Sequence, residues 1–422
     1  MNKNYLISLF LAFFTTTVSA ETLDDAWNNA IDNNHQIKSA KAEIGASEQQ
    51  LQATENQRLP TLNVSSGYTQ YSETPTAKTD IGGRTALFSM AQPGSVKAQA
   101  IASLPIYTGG KITHNINAAQ AALEATQSNE ITSVSNIKMQ VAEAYIMVLR
   151  VENGLQVAQN HVDTLERHIK DVNNLFEQGI VAKNDQLAAS VELANAKQEI
   201  VQVMNQLDIA RAHYNQLLDR NLTQDVKLAN KFPSIPTENI TELSNNALKQ
   251  RTELVAISQQ IESLEHQSKS VKAGLLPQVG INGGYQYQQN RYQAYEGMWM
   301  ANVGVEWKLD AGSTHASDAI TGQALALKEQ RDNLSSLIGL QVRQAWLNYD
   351  EAKKRIAVTQ QSITQADENL KVTTDRYQQG LSTNTDVLRA EDLRTMAHNN
   401  FNNATFDSNL AILQLRRAIG IL

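Results

Sequence analysis

Few of the residues able to do chemistry stand at spacings that would assemble a reaction centre. The eight histidines are scattered. His161 and His168 stand seven apart on one helix face, too far for a shared metal without further ligands, and read as solvated surface. Gly109-Gly110-Lys111 looks like the end of a phosphate loop, but Ile112 follows where Ser or Thr would hold magnesium, and the upstream glycine is missing. Zero cysteines remove disulfides, thiolate metal sites, Fe–S clusters and a cysteine nucleophile. Asp and Glu are spread along predicted helices as surface charge. A net charge of −7, from 36 Lys+Arg against 43 Asp+Glu, argues against a nucleic-acid partner, which requires concentrated positive charge. The expectation is no catalytic residue, no cofactor and no metal: a chain that moves things and is not an enzyme.

The elements behind this composition are long. Of 422 residues only 7 are Pro and 20 are Gly, which leaves room for extended uninterrupted segments. Met1 to Ala20 reads as a secretory signal peptide. It has one lysine in its first four residues, a mostly apolar run from Tyr5 to Thr17, and small residues at Val18 and Ala20 for cleavage. About 13 apolar residues fall short of the ~20 that span a bilayer as a helix. No later stretch is apolar enough to do so, and entry into a membrane would have to be by strands.

An internal duplication organises the rest. Leu59-Pro60-Thr61-Leu62 through Gly67-Tyr68 recurs as Leu276-Pro277-Gln278-Val279 through Gly284-Tyr285, offset by 217 from Pro60 to Pro277. Phe176-Glu177-Gln178-Gly179-Ile180 recurs as Tyr377-Gln378-Gln379-Gly380-Leu381, offset by 201 from Gly179 to Gly380. The first copy therefore carries a longer connection, Ser72 to Gly94, in which Pro75, Gly82-Gly83 and Pro93 forbid a helix. The first repeat is expected over 21–220, with a helix from Leu23 to Arg58, strands 61–72 and 95–107, a long helix 113–178 and a return helix 185–220. The second covers 221–422, with a helix 238–273, strands 278–289 and 298–309, a long helix 314–379 and a return helix 385–420.

The strand segments alternate with period two. Trp299, Ala301, Val303, Val305 and Trp307 fall on one face, with Met300, Asn302, Gly304 and Glu306 on the other. A half-buried soluble sheet fits this pattern. So does a transmembrane barrel, apolar outside and polar inside, whose strands run to about 9–11 residues. In that reading Trp299, Val303, Val305 and Trp307 face lipid. Four strands cannot close a barrel and a lipid-exposed edge is not viable, so the barrel reading forces an oligomer.

The long helices carry a seam. Val151, Leu155, Ala158, Val162, Leu165, Ile169, Val172 and Phe176 step by fours and threes, as in a coiled coil, and Ala352 to Tyr377 keep the register in the second copy. Each long helix would extend about 100 Å at ~1.5 Å per residue. Gly179 and Gly380 would close them, and Asn184 and Thr385 would cap the return helices, each followed by an aspartate, Asp185 or Asp386.

The signal peptide, the duplicated unit of strand pair and helical hairpin, and the spacing Gly-x-x-x-x-x-Asp at both tips together resemble the TolC family of outer-membrane channel proteins. That resemblance implies a mixed α/β membrane protein. Three chains would form a 12-stranded β-barrel in the outer membrane, four strands each, continuing into a long coiled-coil α-helical barrel through the periplasm. The implied partners are two further copies of the chain, outer-membrane lipids, a periplasmic adaptor and an inner-membrane pump of RND or ABC type. Residue by residue, Asp386 matches an aspartate of the narrowest entrance ring, and Tyr377 and Asp185 match a hydrogen-bonded latch on the closed state. Ser382 stands where the best-known members have an arginine, and Arg389 where they have a second ring aspartate, which weakens the latch and the cation preference. Gly179, Val181, Gly380 and Leu381 match the tips where an adaptor docks. The implied function is a passive exit duct for small amphiphilic compounds. Alternatives are a type I protein-secretion channel working with an ABC transporter and, more remotely, a periplasmic coiled-coil scaffold.

Overall fold

The computed structural model describes residues 20–235 and 239–422. The signal peptide expected at the N-terminus lies outside them, apart from Ala20. In chain order the elements are α1 (Leu23–Asn33), α2 (His35–Glu55), β1 (Thr61–Gln70), β2 (Thr76–Ile81), β3 (Arg84–Ser89), β4 (Gly94–Tyr107), α3 (Lys111–Glu177) and α4 (Lys183–Leu217). There follow α5 (Ile240–Gln250), α6 (Thr252–Ala273), β5 (Gln278–Gln288), β6 (Gly297–Glu306), α7 (Ala311–Gln378) and α8 (Asn384–Ala418). No helix among the described residues is long and apolar enough to cross a membrane.

Two departures from the expected elements fall at equivalent places. The single helix expected over Leu23–Arg58 breaks at Asn34, and the one expected over 238–273 begins at Ile240 and breaks at Arg251. Both residues take extended backbone angles and both are buried. Asn34 donates its side-chain amide to the Leu217 carbonyl at 2.9 Å, while its own Oδ1 accepts from the Gln36 amide. Arg251 pairs with Glu253 at 2.9 Å. In the first copy, the connection after β1 is more than a loop. It folds into the β2–β3 hairpin, closed by Gly82-Gly83.

Two compact units divide the chain, and each takes segments from both repeats. Among the described residues, one comprises 20–38, 133–235, 239–250 and 338–422. Its core gathers Trp27, Ile37, Tyr145, Tyr214, Phe406 and Leu413. Tyr145 meets Tyr214 and Phe232 edge-on and donates its hydroxyl to backbone carbonyls of Glu21 and Ala229. A bidentate Arg220–Glu21 pair at 2.7 and 2.8 Å ties the segment leading into α1 to the end of α4.

The other unit comprises residues 39–132 and 251–337. It holds the four-stranded antiparallel sheet in the order β1-β4-β5-β6. Small polar residues let its helices approach closely. Ser263 donates to the Ala118 carbonyl at 2.8 Å, and Ser268 and Ser317 meet at 2.7 Å.

Candidate functional site

The sheet register sorts the side chains into two faces. Directly paired residues share a face, and Val64, Ala100, Tyr285 and Trp299 form one row across all four strands. Leu104, Ile281 and Val303 form another on the same side. The opposite side carries Thr61, Ser103, Asn282 and Asn302 in a row, with Ser65, Gln99 and Gln286 beside it. The apolar face is open: Trp299 is 81% exposed and Val303 and Val305 are each 68% exposed. Trp307 lies one residue beyond β6, whose expected extension to residue 309 is not formed. Its indole donates to the Leu275 carbonyl at 2.9 Å while its ring stays exposed. A continuous apolar face of this kind, backed by a polar one, is the surface pattern of a strand set with lipid on one side and water on the other.

At the other candidate site, two helical turns are built alike. Gly179 and Gly380 take φ of 74° and 73°, the left-handed conformation at which a helix is stopped cheaply only by glycine. The amides of Ile180 and Leu381 then reach back five residues, to the carbonyls of Leu175 and Arg376. The return helices begin at Lys183 and Asn384, two residues and one residue earlier than expected, and the caps are Ala182 and Thr383 rather than Asn184 and Thr385. Ala182 has no side chain able to cap. Thr383 forms a full capping box with Asp386, whose Oδ2 accepts from the Thr383 amide at 2.9 Å, the Thr383 hydroxyl at 2.7 Å and Ser382 Oγ at 3.1 Å. Those bonds, the Thr383 amide first, hold the Asp386 carboxyl below the usual carboxylate range. Asp386 and Arg389 are both exposed.

Tyr377 and Asp185 are close enough for the aspartate charge to act on the phenol, yet no hydrogen bond joins them within the chain. Tyr377 is only 4% exposed. It packs with Val172, Ala189 and Val387, its ring centre 5.3 Å from that of His168. Its hydroxyl has no partner. Burial, followed by the charges of Asp185 and Asp171, pushes its pKa up. Val181 packs half-buried against this cluster, whereas Leu381 and Ile180 are exposed. Beside it lies a cleft of about 490 Å³ lined by His168, Asp171, Asp367, Lys371, Glu391 and Arg394.

The two histidines expected at the surface are buried. His161 Nδ1 lies 3.1 Å from Glu391 Oε1, and His168 Nε2 lies 2.7 Å from Asn384 Oδ1. Glu391 itself is 1% exposed, against the expectation that the acidic residues are all surface charge. Spacing alone shows the shared helix face but not what covers it, which is α8.

The profile of the family described as "Outer membrane efflux protein" matches residues 26–219 and 243–421. The chain belongs to that family. It is an outer-membrane efflux channel, and the proteins of this family are passive channels, not enzymes. The outer membrane protein TolC of Vibrio cholerae is 22% identical over 99% of this chain and 94% of its own length. The cobalt-zinc-cadmium resistance protein CzcC of Cupriavidus metallidurans is 27% identical, over 37% of each chain. Among solved structures, the outer membrane protein VceC of Vibrio cholerae superposes with a TM-score of 0.78 at 16% identity, covering 94% of this chain and 96% of that one. The CmeC outer membrane channel of Campylobacter jejuni does so with a TM-score of 0.78 at 15% identity, covering 100% of this chain and 94% of that one. The efflux-protein fold is thus that of a β-barrel channel to which each chain contributes four strands.

Proposed function

We propose that three copies of this efflux protein form the exit duct of a tripartite system, receiving small amphiphilic compounds from an inner-membrane pump through a periplasmic adaptor. The sheet carries this reading. Its outer strands β1 and β6 each have one unpaired edge within the chain, and an edge in lipid costs several kcal/mol for each unsatisfied backbone group. Pairing β6 of one copy with β1 of the next removes every edge, and three copies of four strands give a closed barrel with the Trp299 face outward.

The helical turns then supply the entrance. Asp386 stands in the ring that selects charge, Tyr377 and Asp185 form the latch of the closed state, and Gly179, Val181, Gly380 and Leu381 mark the adaptor's docking tips. Three carboxylates around an axis favour cations, and the exposed Arg389 moderates that preference. Crosslinking in the native envelope followed by mass spectrometry of what co-purifies tests the assignment. A proton-driven pump with its adaptor supports it. An ABC transporter with a large secreted protein in its place would make the chain a type I secretion channel instead.

A further inference from the structure

We propose that His161, Glu192 and Asp392 form a binding site for a divalent transition metal of the zinc class, joining three helices of one chain. One ring nitrogen of His161 and one carboxylate oxygen from each acid lie within 4.8 Å of one another. His161 comes from α3, Glu192 from α4 and Asp392 from α8. A tetrahedral zinc ion with bonds of ~2.0–2.2 Å holds its ligand atoms about 3.4 Å apart. Closing the set from 4.8 Å therefore takes about 1.4 Å of side-chain movement at its widest. The two acids have that freedom, Glu192 being half-buried and Asp392 exposed.

The imidazole does not have that freedom, and this is what makes the set a site. His161 is 5% exposed, with Nδ1 at 3.1 Å from Glu391 Oε1 and 3.0 Å from Thr395 Oγ1. Glu391 is held in turn by Arg394 at 3.3 Å. A carboxylate on one imidazole nitrogen fixes the tautomer, orients the ring and raises the basicity of the other nitrogen, as behind ligating histidines. Nδ1 is committed, and Nε2 is the nitrogen left to ligate. The Glu391 contact alone would satisfy a buried structural histidine. It does not account for two more carboxylates, from two different helices, gathered at the same ring. These are like charges that a cation between them reconciles. One imidazole and two carboxylates suit zinc, cobalt or nickel better than calcium or magnesium, which take oxygen ligands, and three protein ligands leave a fourth position for water. A bound ion fastens the α3–α4 hairpin to α8.

The full chain, purified in detergent and stripped with EDTA, should be titrated with Zn²⁺ by calorimetry and with Co²⁺ by visible absorption. The site predicts one saturable Zn²⁺ per chain and the absorption of four-coordinate Co²⁺. Asp392→Asn and Glu192→Gln should each bind at least about tenfold more weakly while melting like the wild type without metal. His161→Gln should not bind at this site. No saturable binding by the wild type overturns the proposal. So does equal affinity in the wild type, Asp392→Asn and Glu192→Gln, which would place the ion on another donor set.

Discussion

Replacing Tyr377 by Phe isolates one hydroxyl. The ring keeps its packing against Val172, Ala189 and Val387 and its contact with His168, and only the oxygen that lacks a partner within the chain is lost. Burial and the nearby aspartates raise the phenol's pKa above its ordinary value of about 10, so the group is a protonated donor at neutral pH. If its O–H donates a hydrogen bond to the Asp185 carboxylate in the closed trimer, the bond has a charged acceptor and contributes about 1.5–3 kcal/mol. Its loss should lower the closed-to-open ratio by roughly 10- to 150-fold at each latch. Single-channel recording of the wild type and Tyr377→Phe in planar bilayers, paired with thermal melts, reads both sides of this balance. Longer open dwell times or higher conductance, with no gain in melting temperature, are expected. Unchanged conductance with a higher melting temperature would refute the latch. An orphan hydroxyl costs about 1–3 kcal/mol when buried, and removing it would then only stabilise the chain.

Asp386→Ala should reduce the channel's preference for cations and also disturb the start of α8. Thr383→Ala separates the two effects, costing about 1 kcal/mol of stability through the lost cap while leaving reversal potentials unchanged. On the sheet, Val303→Lys should cost about 2–4 kcal/mol in folding titrations from lipid vesicles if that face meets the bilayer interior, whereas Asn302→Lys on the opposite face should cost far less. His114 gives a pH dependence. Burial first, then the neighbouring His266 and Lys269, hold its pKa below the usual value near 6.5. Its ring nitrogen lies 3.3 Å from that of His266, which has Glu262 at 3.9 Å on its other side. The folded chain thus favours the neutral ring, and the stability it contributes is present above about pH 6.5 and lost as pH falls through the lower folded value. Melting temperature should fall over that window in the wild type and fall less in His114→Gln.

Patterns with a fixed period were legible in the sequence. The alternation of β6 is seen again in its register with β5, and the heptad positions from Val151 to Phe176 are all at least half-buried. The long helices stop at their glycines because a positive φ there is a property of one residue. What depended on a partner from elsewhere in the chain was not legible. Neither Pro nor Gly marks the breaks at Asn34 and Arg251; Asn34 is turned by a carbonyl 183 residues away. His161 and His168 look like surface until α8 brings Glu391 and Asn384 over them. Two further features do carry a local signal in the sequence. Thr383-x-x-Asp386 has the spacing of a capping box, and Gly82-Gly83 between two six-residue segments is a hairpin turn as well as a helix breaker.

A membrane channel made from this chain requires closure of its four-stranded sheet by two further copies. Native mass spectrometry of the mature protein, extracted from membranes in mild detergent, measures this directly. A species of three chains, stable in detergent and insoluble without it, is the result the closed barrel predicts. A monomer that stays in solution without detergent would leave the Trp299 face in water and contradict it.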